Sequence, residues 1–336
     1  MAMKKRVFSG IQPTGTIHIG NYLAAIRRWA ITQAEHESIF CIVDLHAITV
    51  PQEPKLLKAK NLEMAGMLLA AGIDPEVSVI FVQSRVSAHA ELAWILNCII
   101  PMGWMLRMIQ FKEKSQRHKE QASTGLFDYP ALMAADILLY RTGLVPVGED
   151  QRQHVELARD VAERFNSRYG PTFELPEAVI PEVGSRIMGL KDPTKKMSKT
   201  GDDKDNVLGV LDPPDQIRAK IMKAVTDPLR EIRFDPERPG IHNLLVIYEL
   251  FSAEGRQAIE QRFAGKGYAQ FKAELAEMVI EGLRPLQARF CELMKDQGYI
   301  GRLLEEGADR IRPVAEGTLN TVKEKVGLGL PVLRGS

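Results

Sequence analysis

Two stretches of this chain combine residue types suited to handling a phosphate chain. The first, Gly10-Ile11-Gln12-Pro13-Thr14-Gly15-Thr16-Ile17-His18-Ile19-Gly20-Asn21, runs from an apolar segment through a Pro-Thr-Gly turn into a helical pattern. Turn backbone and a helix N-terminus offer unpaired N–H groups and the positive end of a dipole, which favour an anion. His18 would donate to a phosphate oxygen as charge builds in a transition state. Gly20 lets a flat base or a ribose approach the helix. The second stretch, Asp192-Pro193-Thr194-Lys195-Lys196-Met197-Ser198-Lys199-Thr200-Gly201-Asp202-Asp203, is a loop carrying three lysines and two small hydroxyl residues near its centre. Lysine is a point charge on a flexible stem and can follow charge onto a departing polyphosphate. Taken singly, each stretch also fits a plainer role: a strand–turn–helix with an Asn cap, and a solvated basic loop.

Positioning such groups requires a scaffold, and the first half of the chain alternates short β-branched runs with longer helical patterns. That alternation predicts parallel strands joined by helices. Strands are expected at Val7 to Ile11, Ile39 to Val43, Val77 to Val82 and Leu144 to Val147, the second being apolar throughout, as suits a strand buried on both faces. Helices are expected at roughly Asn21 to Ala34, Pro54 to Ala71, His89 to Ile99, Pro130 to Tyr140 and Gln151 to Tyr169, with Gly72 ending the second. From about Asp212 strand-like runs become scarce. Pro213-Pro214-Asp215 opens a helical pattern to Val225, and Phe271, Leu275, Met278, Val279, Leu283, Leu286 and Phe290 form an apolar stripe at helical spacing, bent at Pro285. The stripe is read as bundle core. The fold class expected is α/β, a Rossmann-like parallel sheet over residues 1–200 holding both phosphate-handling stretches. A helical domain over 201–336 would follow it.

With 336 residues, 45% hydrophobic and 26% charged, the chain can bury a sizeable core, and its net charge of +1 gives no global field for nucleic acid. Any such partner would meet local patches. Cys41, Cys98 and Cys291 are far apart and lack C-x-x-C spacing, which argues against a zinc or iron–sulfur site and suits a reducing compartment. The basic start, Met1 to Arg6, leads into a strand rather than an apolar signal region. The most apolar run, Leu92 to Leu106, is broken by Asn97 and Pro101 and falls short of a membrane span. A cytoplasmic protein without membrane contact is expected.

Read together and in this order, His18-Ile19-Gly20-Asn21 and Lys196-Met197-Ser198-Lys199-Thr200 resemble the HIGH and KMSKS motifs of class I aminoacyl-tRNA synthetases. Leu126-Phe127-Asp128-Tyr129-Pro130-Ala131-Leu132-Met133-Ala134-Ala135-Asp136-Ile137-Leu138-Leu139-Tyr140 resembles the amino-acid-binding helix of the bacterial tryptophanyl members. Val145-Pro146-Val147-Gly148-Glu149-Asp150-Gln151-Arg152-Gln153-His154 follows at that family's spacing. Further similar segments are Val43-Asp44-Leu45-His46-Ala47-Ile48-Thr49, Gln110-Phe111-Lys112-Glu113-Lys114-Ser115 and Ala224-Val225-Thr226-Asp227, so the resemblance runs from about Val7 to Gly329. Two departures are Asn21, where the class pattern has histidine, and Thr200 in place of serine, which keeps the hydroxyl.

The resemblance implies a ligase that activates L-tryptophan with ATP and Mg2+, releases pyrophosphate, and passes the amino acid to tRNA(Trp), as a homodimer. It implies catalytic roles for His18, Lys196, Lys199 and Lys114. ATP contacts would fall to Gln12, Pro13, Thr14, Gly20, Asn21, Gly148, Glu149, Asp150, Ile187, Met197, Ser198 and Thr200, besides the two clamp lysines. The carboxylate of Asp136 would bind the indole nitrogen, with Tyr129 and Gln151 orienting the amino group and Phe8, His46, Met133, Val145 and Val147 walling the ring. The chemistry agrees: indole has one donor and no acceptor, while an ionised aspartate only accepts. Tyrosine could also donate to that carboxylate. A tyrosyl-type synthetase, a small adenylyltransferase of the same superfamily, and a catalytically silent tRNA-binding paralogue therefore stand as alternatives. The run from Lys112 to Lys119 could equally touch tRNA phosphates.

Overall fold

The computed structural model describes residues 4–108, 123–180, 187–198, 203–229 and 231–330. Five parallel strands form its sheet: β1 (Arg6–Ile11), β2 (Glu37–Ile42), β3 (Val79–Val82), β4 (Leu144–Pro146) and β5 (Glu177–Val179), in the order β3-β2-β1-β4-β5. The apolar run at β2 is buried from Ser38 onward, consistent with a central position between β1 and β3. The chain moves outward from β1 to β3, then returns to place β4 on the other side of β1. That reversal opens a crevice beyond the C-terminal ends of β1 and β4, where open α/β sheets bind ligands. Four of the strands match the apolar runs of the sequence. The fifth, Glu-Ala-Val, is too short and too polar to stand out, and pairs only at the sheet edge through Val145↔Ala178 and its neighbours.

Helix α1 starts at Ile19–Asn21, passes through a π-helical turn, Tyr22–Ile26, and continues as Arg27–Thr32. The short α2 (Asp44–Ala47) follows β2, and α3 (Pro54–Ala70) ends before Gly72, whose φ of 100° suits glycine. Then come α4 (Ala88–Asn97), α5 (Met102–Met105), α6 (Thr124–Leu138) and α7 (Arg152–Tyr169). Helix α6 begins before Pro130, earlier than expected, because Ser123 caps it by accepting from the Leu126 N–H at 3.2 Å.

The remaining helices are α8 (Pro214–Lys223), α9 (Pro239–Ser252), α10 (Arg256–Phe263), α11 (Tyr268–Leu293) and α12 (Gln297–Val326). The stripe from Phe271 to Leu286 is buried as expected, in a core shared with α3, α8 and α9. The last helix behaves differently. Ala308, Ile311, Ala315, Leu319 and Val322 pack into the core on the sheet's other face, with Leu92, Leu96 and Phe81. Gly307 makes this approach possible, since a Cβ there would sit 1.9 Å from the Ile80 carbonyl oxygen of β3. Helices α8–α11 and the start of α12 share one core, and α12 from Ala308 to Val322 lies back on the sheet. Among the described residues no helix is long and apolar enough to cross a membrane.

Candidate active site

Two adjoining cavities occupy the crevice. The inner one, about 270 Å³, is walled by residues from β1, α2, α6 and β4, and its lining includes Phe8, His46, Tyr129, Met133, Asp136, Val145, Val147 and Gln151. All eight residues singled out for an aromatic amino acid therefore surround one space. Local structure explains how. Tyr129, Met133 and Asp136 stand at i, i+4 and i+7 on α6 and share one face. Phe8 and Val145 come from neighbouring strands, and His46 from the short helix that β2 feeds.

Asp136 is 1% exposed and fully engaged at one oxygen. Its Oδ1 accepts from Gln83 Nε2 at 2.6 Å and His89 Nδ1 at 2.6 Å; its Oδ2 accepts from His46 Nε2 at 2.7 Å. Burial pushes its pKa up, but the charge and hydrogen bond of His46, with those of His89, outweigh this and hold it below the usual carboxylate range. It is therefore an ionised acceptor beside an apolar wall. Tyr129 at the rim meets His154 Nε2 through its hydroxyl at 2.6 Å.

The outer cavity, about 390 Å³, includes His18, Gly20, Asn21, Gly148, Asp150, Ile187 and Lys196 in its lining, and shares Gly10, Pro146, Val147 and Gln151 with the inner one. His18 and Asn21 cap α1 reciprocally: the Asn21 N–H donates to His18 Nδ1 at 3.3 Å, and Asn21 Oδ1 accepts from the His18 N–H at 3.4 Å. A Cβ on Gly20 would lie 2.9 Å from the His18 ring and 3.6 Å from Ile187 Cβ, so the glycine keeps a narrow slot open. Opposite, Lys196 Nζ reaches Asp150 Oδ1 at 3.3 Å. Burial raises the Asp150 pKa, yet the Lys196 charge and hydrogen bonds from Gln151 and Lys196 bring it below the normal value.

The lysine loop is tied to the strand-like segment carrying Ile187: Met188 and Lys196 form an antiparallel bridge, and the Met197 N–H donates to the Ile187 carbonyl at 3.0 Å. Asn243, a buried amide on the apolar face of α9, grips this segment. It accepts from the Met188 N–H at 2.9 Å and donates to the Met188 carbonyl at 2.9 Å. The His18 turn is held similarly. The Ile19 N–H donates to the Leu208 carbonyl and the Val210 N–H to the Ile17 carbonyl, both at 2.9 Å. Gln287 of α11 and the half-buried Lys220–Asp212 pair (2.6 Å) brace the 208–212 strap. Sequence reasoning missed Asn243, Lys220 and Gln287; a lone Asn inside Ile241-His242-Asn243-Leu244-Leu245 was the one visible signal.

Several residues expected at ATP stand outside the lining of the outer cavity. Gln12 lines the inner cavity instead, and Pro13 and Thr14 stand outside both linings. Glu149 turns to Arg152 at 3.5 Å, Met197 is packed into the core, and Ser198 is exposed. Lys114, Lys199 and Thr200 lie outside the described residues, as does the Gln110–Ser115 segment. Among the described residues no group of three or more His, Cys, Asp or Glu side chains is placed to hold a metal ion.

The family model for tRNA synthetases class I (W and Y) matches residues 2–284. A tryptophan–tRNA ligase of Wolinella succinogenes is 57% identical over 97% of this chain and 99% of its own length. Among solved structures, tryptophanyl-tRNA synthetase from Mycoplasma pneumoniae superposes with a TM-score of 0.90 at 35% identity, covering 97% of this chain and 99% of that one. The Campylobacter jejuni tryptophanyl enzyme complexed with ADP and tryptophan gives 0.83 at 37% identity, over 96% and 100%. With two joined cavities between a His-Ile-Gly-Asn turn and a lysine loop on a parallel sheet, and with this match across most of its length, the chain belongs to the class I tRNA synthetases of the W and Y group.

Proposed function

We propose that the chain is a tryptophan–tRNA ligase, activating L-tryptophan with ATP and transferring it to tRNA(Trp). The observation that carries this reading is the junction of the two cavities at Gly10, Pro146, Val147 and Gln151. An aromatic amino acid seated against Asp136 would present its carboxylate there, facing the α-phosphate of an ATP bound along His18, Gly20 and Asp150. A buried ionised aspartate accepts one hydrogen bond from indole N–H, and a site built on such a contact strongly rejects analogues lacking it.

In the first step the tryptophan carboxylate attacks the α-phosphorus in line. The bond to the bridging oxygen breaks, pyrophosphate leaves, and tryptophanyl-adenylate remains. In the second step the terminal ribose of tRNA attacks the mixed anhydride, at the 2′-hydroxyl in the class I pattern, releasing AMP. No side chain becomes covalently attached. The rate arises from positioning and from charge placed where the phosphates move, supplied by His18, Lys196 and Lys199, with Lys114 reaching the phosphates. Mg2+ would arrive on the ATP phosphates and neutralise charge on the departing pyrophosphate. Helices α8–α11 are the candidates for the tRNA anticodon, since α12 is committed to covering the sheet; the working unit is a homodimer.

Pyrophosphate exchange assayed separately with tryptophan, with tyrosine and without amino acid tests the proposal. Exchange dependent on tryptophan is expected; exchange with tyrosine alone, or none at all, would sink it.

A further inference from the structure

Behind Asp136 lies a chain of polar groups that takes no part in the lining of the inner cavity. Gln83, His89 and Tyr140 are each 0% exposed and stand outside the cavity lining. Tyr140 meets His89 Nε2 through its hydroxyl at 2.7 Å, and His89 Nδ1 meets Asp136 Oδ1 at 2.6 Å. A buried polar chain of this kind either merely satisfies itself or sets the direction of the group at its end.

Lone-pair arithmetic separates the two. Each carboxylate oxygen accepts about two in-plane hydrogen bonds. At Oδ1 both places are taken. Gln83 must point its NH₂ there, because its Oε1 accepts from the Leu45 N–H at 3.1 Å, a group that can only donate. His89 must carry its proton on Nδ1, because a carboxylate can only accept. On the other side of the ring the Tyr140 hydroxyl meets Nε2 at 2.7 Å, so the imidazole is held at both nitrogens. At Oδ2, among the described residues, only His46 donates, at 2.7 Å, and His46 itself lines the cavity.

We infer that His89, held in place by Tyr140, is a positioning residue for amino-acid specificity: with Gln83 it fills Oδ1, leaving Oδ2 as the one carboxylate oxygen able to accept the indole N–H. The same contacts fix the rotation of the carboxylate about its Cβ–Cγ bond, so that the remaining lone pair keeps one direction. This inference rests on the proposed role of Asp136 in binding indole, and it adds what makes that carboxylate directional.

The test compares kcat/KM in pyrophosphate exchange for tryptophan and for β-(benzothienyl)alanine, an isostere with sulfur in place of the indole N–H, using the full chain. Wild type should prefer tryptophan by about a hundredfold or more. In His89→Leu and in Tyr140→Phe the preference should shrink, by about tenfold for the former. In His89→Asn, whose amide nitrogen can take the place of Nδ1, it should recover most of the loss. A histidine that only supports the fold would lower both substrates equally and leave the ratio untouched, and that result overturns the inference. A wild-type enzyme that does not discriminate the two substrates would instead overturn the reading of Asp136 itself. Should His89→Leu fail to fold, Tyr140→Phe, which lacks a single oxygen, decides between the outcomes.

Discussion

Lys196 Nζ stands 3.3 Å from Asp150 Oδ1 across the mouth of the outer cavity, so the lysine loop is already latched to the loop that follows β4. Both side chains are about half exposed, and a pair of this kind adds little to stability. Its consequence is kinetic. An arriving triphosphate offers Lys196 more negative charge than one carboxylate does, so the latch should open toward ATP and release Asp150 to the ribose hydroxyls. Lys196→Ala is therefore expected to slow pyrophosphate exchange by about 10²- to 10³-fold, the usual range for losing one preorganised charge-stabilising group. Tryptophan affinity by calorimetry should stay within about twofold, because the inner cavity proposed for indole does not have Lys196 in its lining.

Asp136, the proposed acceptor for indole, also bears on acid stability. Its pKa in the folded protein is depressed because, although burial opposes ionisation, His46 and His89 favour the charged form more strongly. The unfolded chain binds that proton at a higher pH than the folded one does. The stabilisation is thus complete above the unfolded value, about 3.9, and is lost as pH falls through the depressed folded value. Wild type should consequently lose stability below about pH 4 more steeply than Asp136→Asn, as read by denaturant midpoints at pH 3 to 6. At neutral pH the same variant should be less stable by about 1–3 kcal/mol, since two histidines lose a charged acceptor. Its kcat/KM for tryptophan should fall by about 10³-fold or more.

The inner cavity was legible in the sequence because its parts obey local rules. Tyr129, Met133 and Asp136 share a face by helical periodicity, and Phe8 and Val145 sit on runs that declare themselves strands. The supports behind it were not legible. Gln83 and His89 are polar residues beside apolar runs, and only three-dimensional proximity to Asp136 gives them meaning. Gln12, Pro13 and Thr14 are expected at ATP from the family resemblance, and the turn after β1 sets Gln12 in the inner cavity's lining and the next two residues outside both linings, a placement that no local pattern announces. The return of α12 to the sheet is hidden for a similar reason: it depends on Gly307 meeting a strand far away in sequence.

Asn243 supplies a prediction that separates the two substrates. Its amide pairs with both the N–H and the carbonyl of Met188, next to Ile187 in the outer cavity. Asn243→Leu would take the side-chain partner from those two partly buried backbone groups, at a cost of up to about 1–3 kcal/mol each. The segment should shift or loosen, raising KM for ATP by about tenfold with KM for tryptophan nearly unchanged. Equal increases in both constants would mean that Asn243 supports the fold in general rather than the nucleotide side of the crevice.

The close approach of α12 to the sheet can be tested within a single helix. At Gly307 a Cβ would meet the Ile80 carbonyl oxygen at 1.9 Å, an approach that neither backbone can absorb without moving. Gly317 lies on the same helix, where an added methyl group would have nothing within 4 Å among the described residues. Gly307→Ala should destabilise the protein by about 3 kcal/mol or more, the scale of forced overpacking in a core. Gly317→Ala should instead stabilise it by up to about 1 kcal/mol, because alanine is the better helix former where space is free. Opposite signs for one substitution, made twice in one helix, would tie the cost to the contact with β3 rather than to helix propensity. Since β3 leads into Gln83, the Gly307→Ala enzyme that survives should also bind tryptophan more weakly, which isothermal titration would detect.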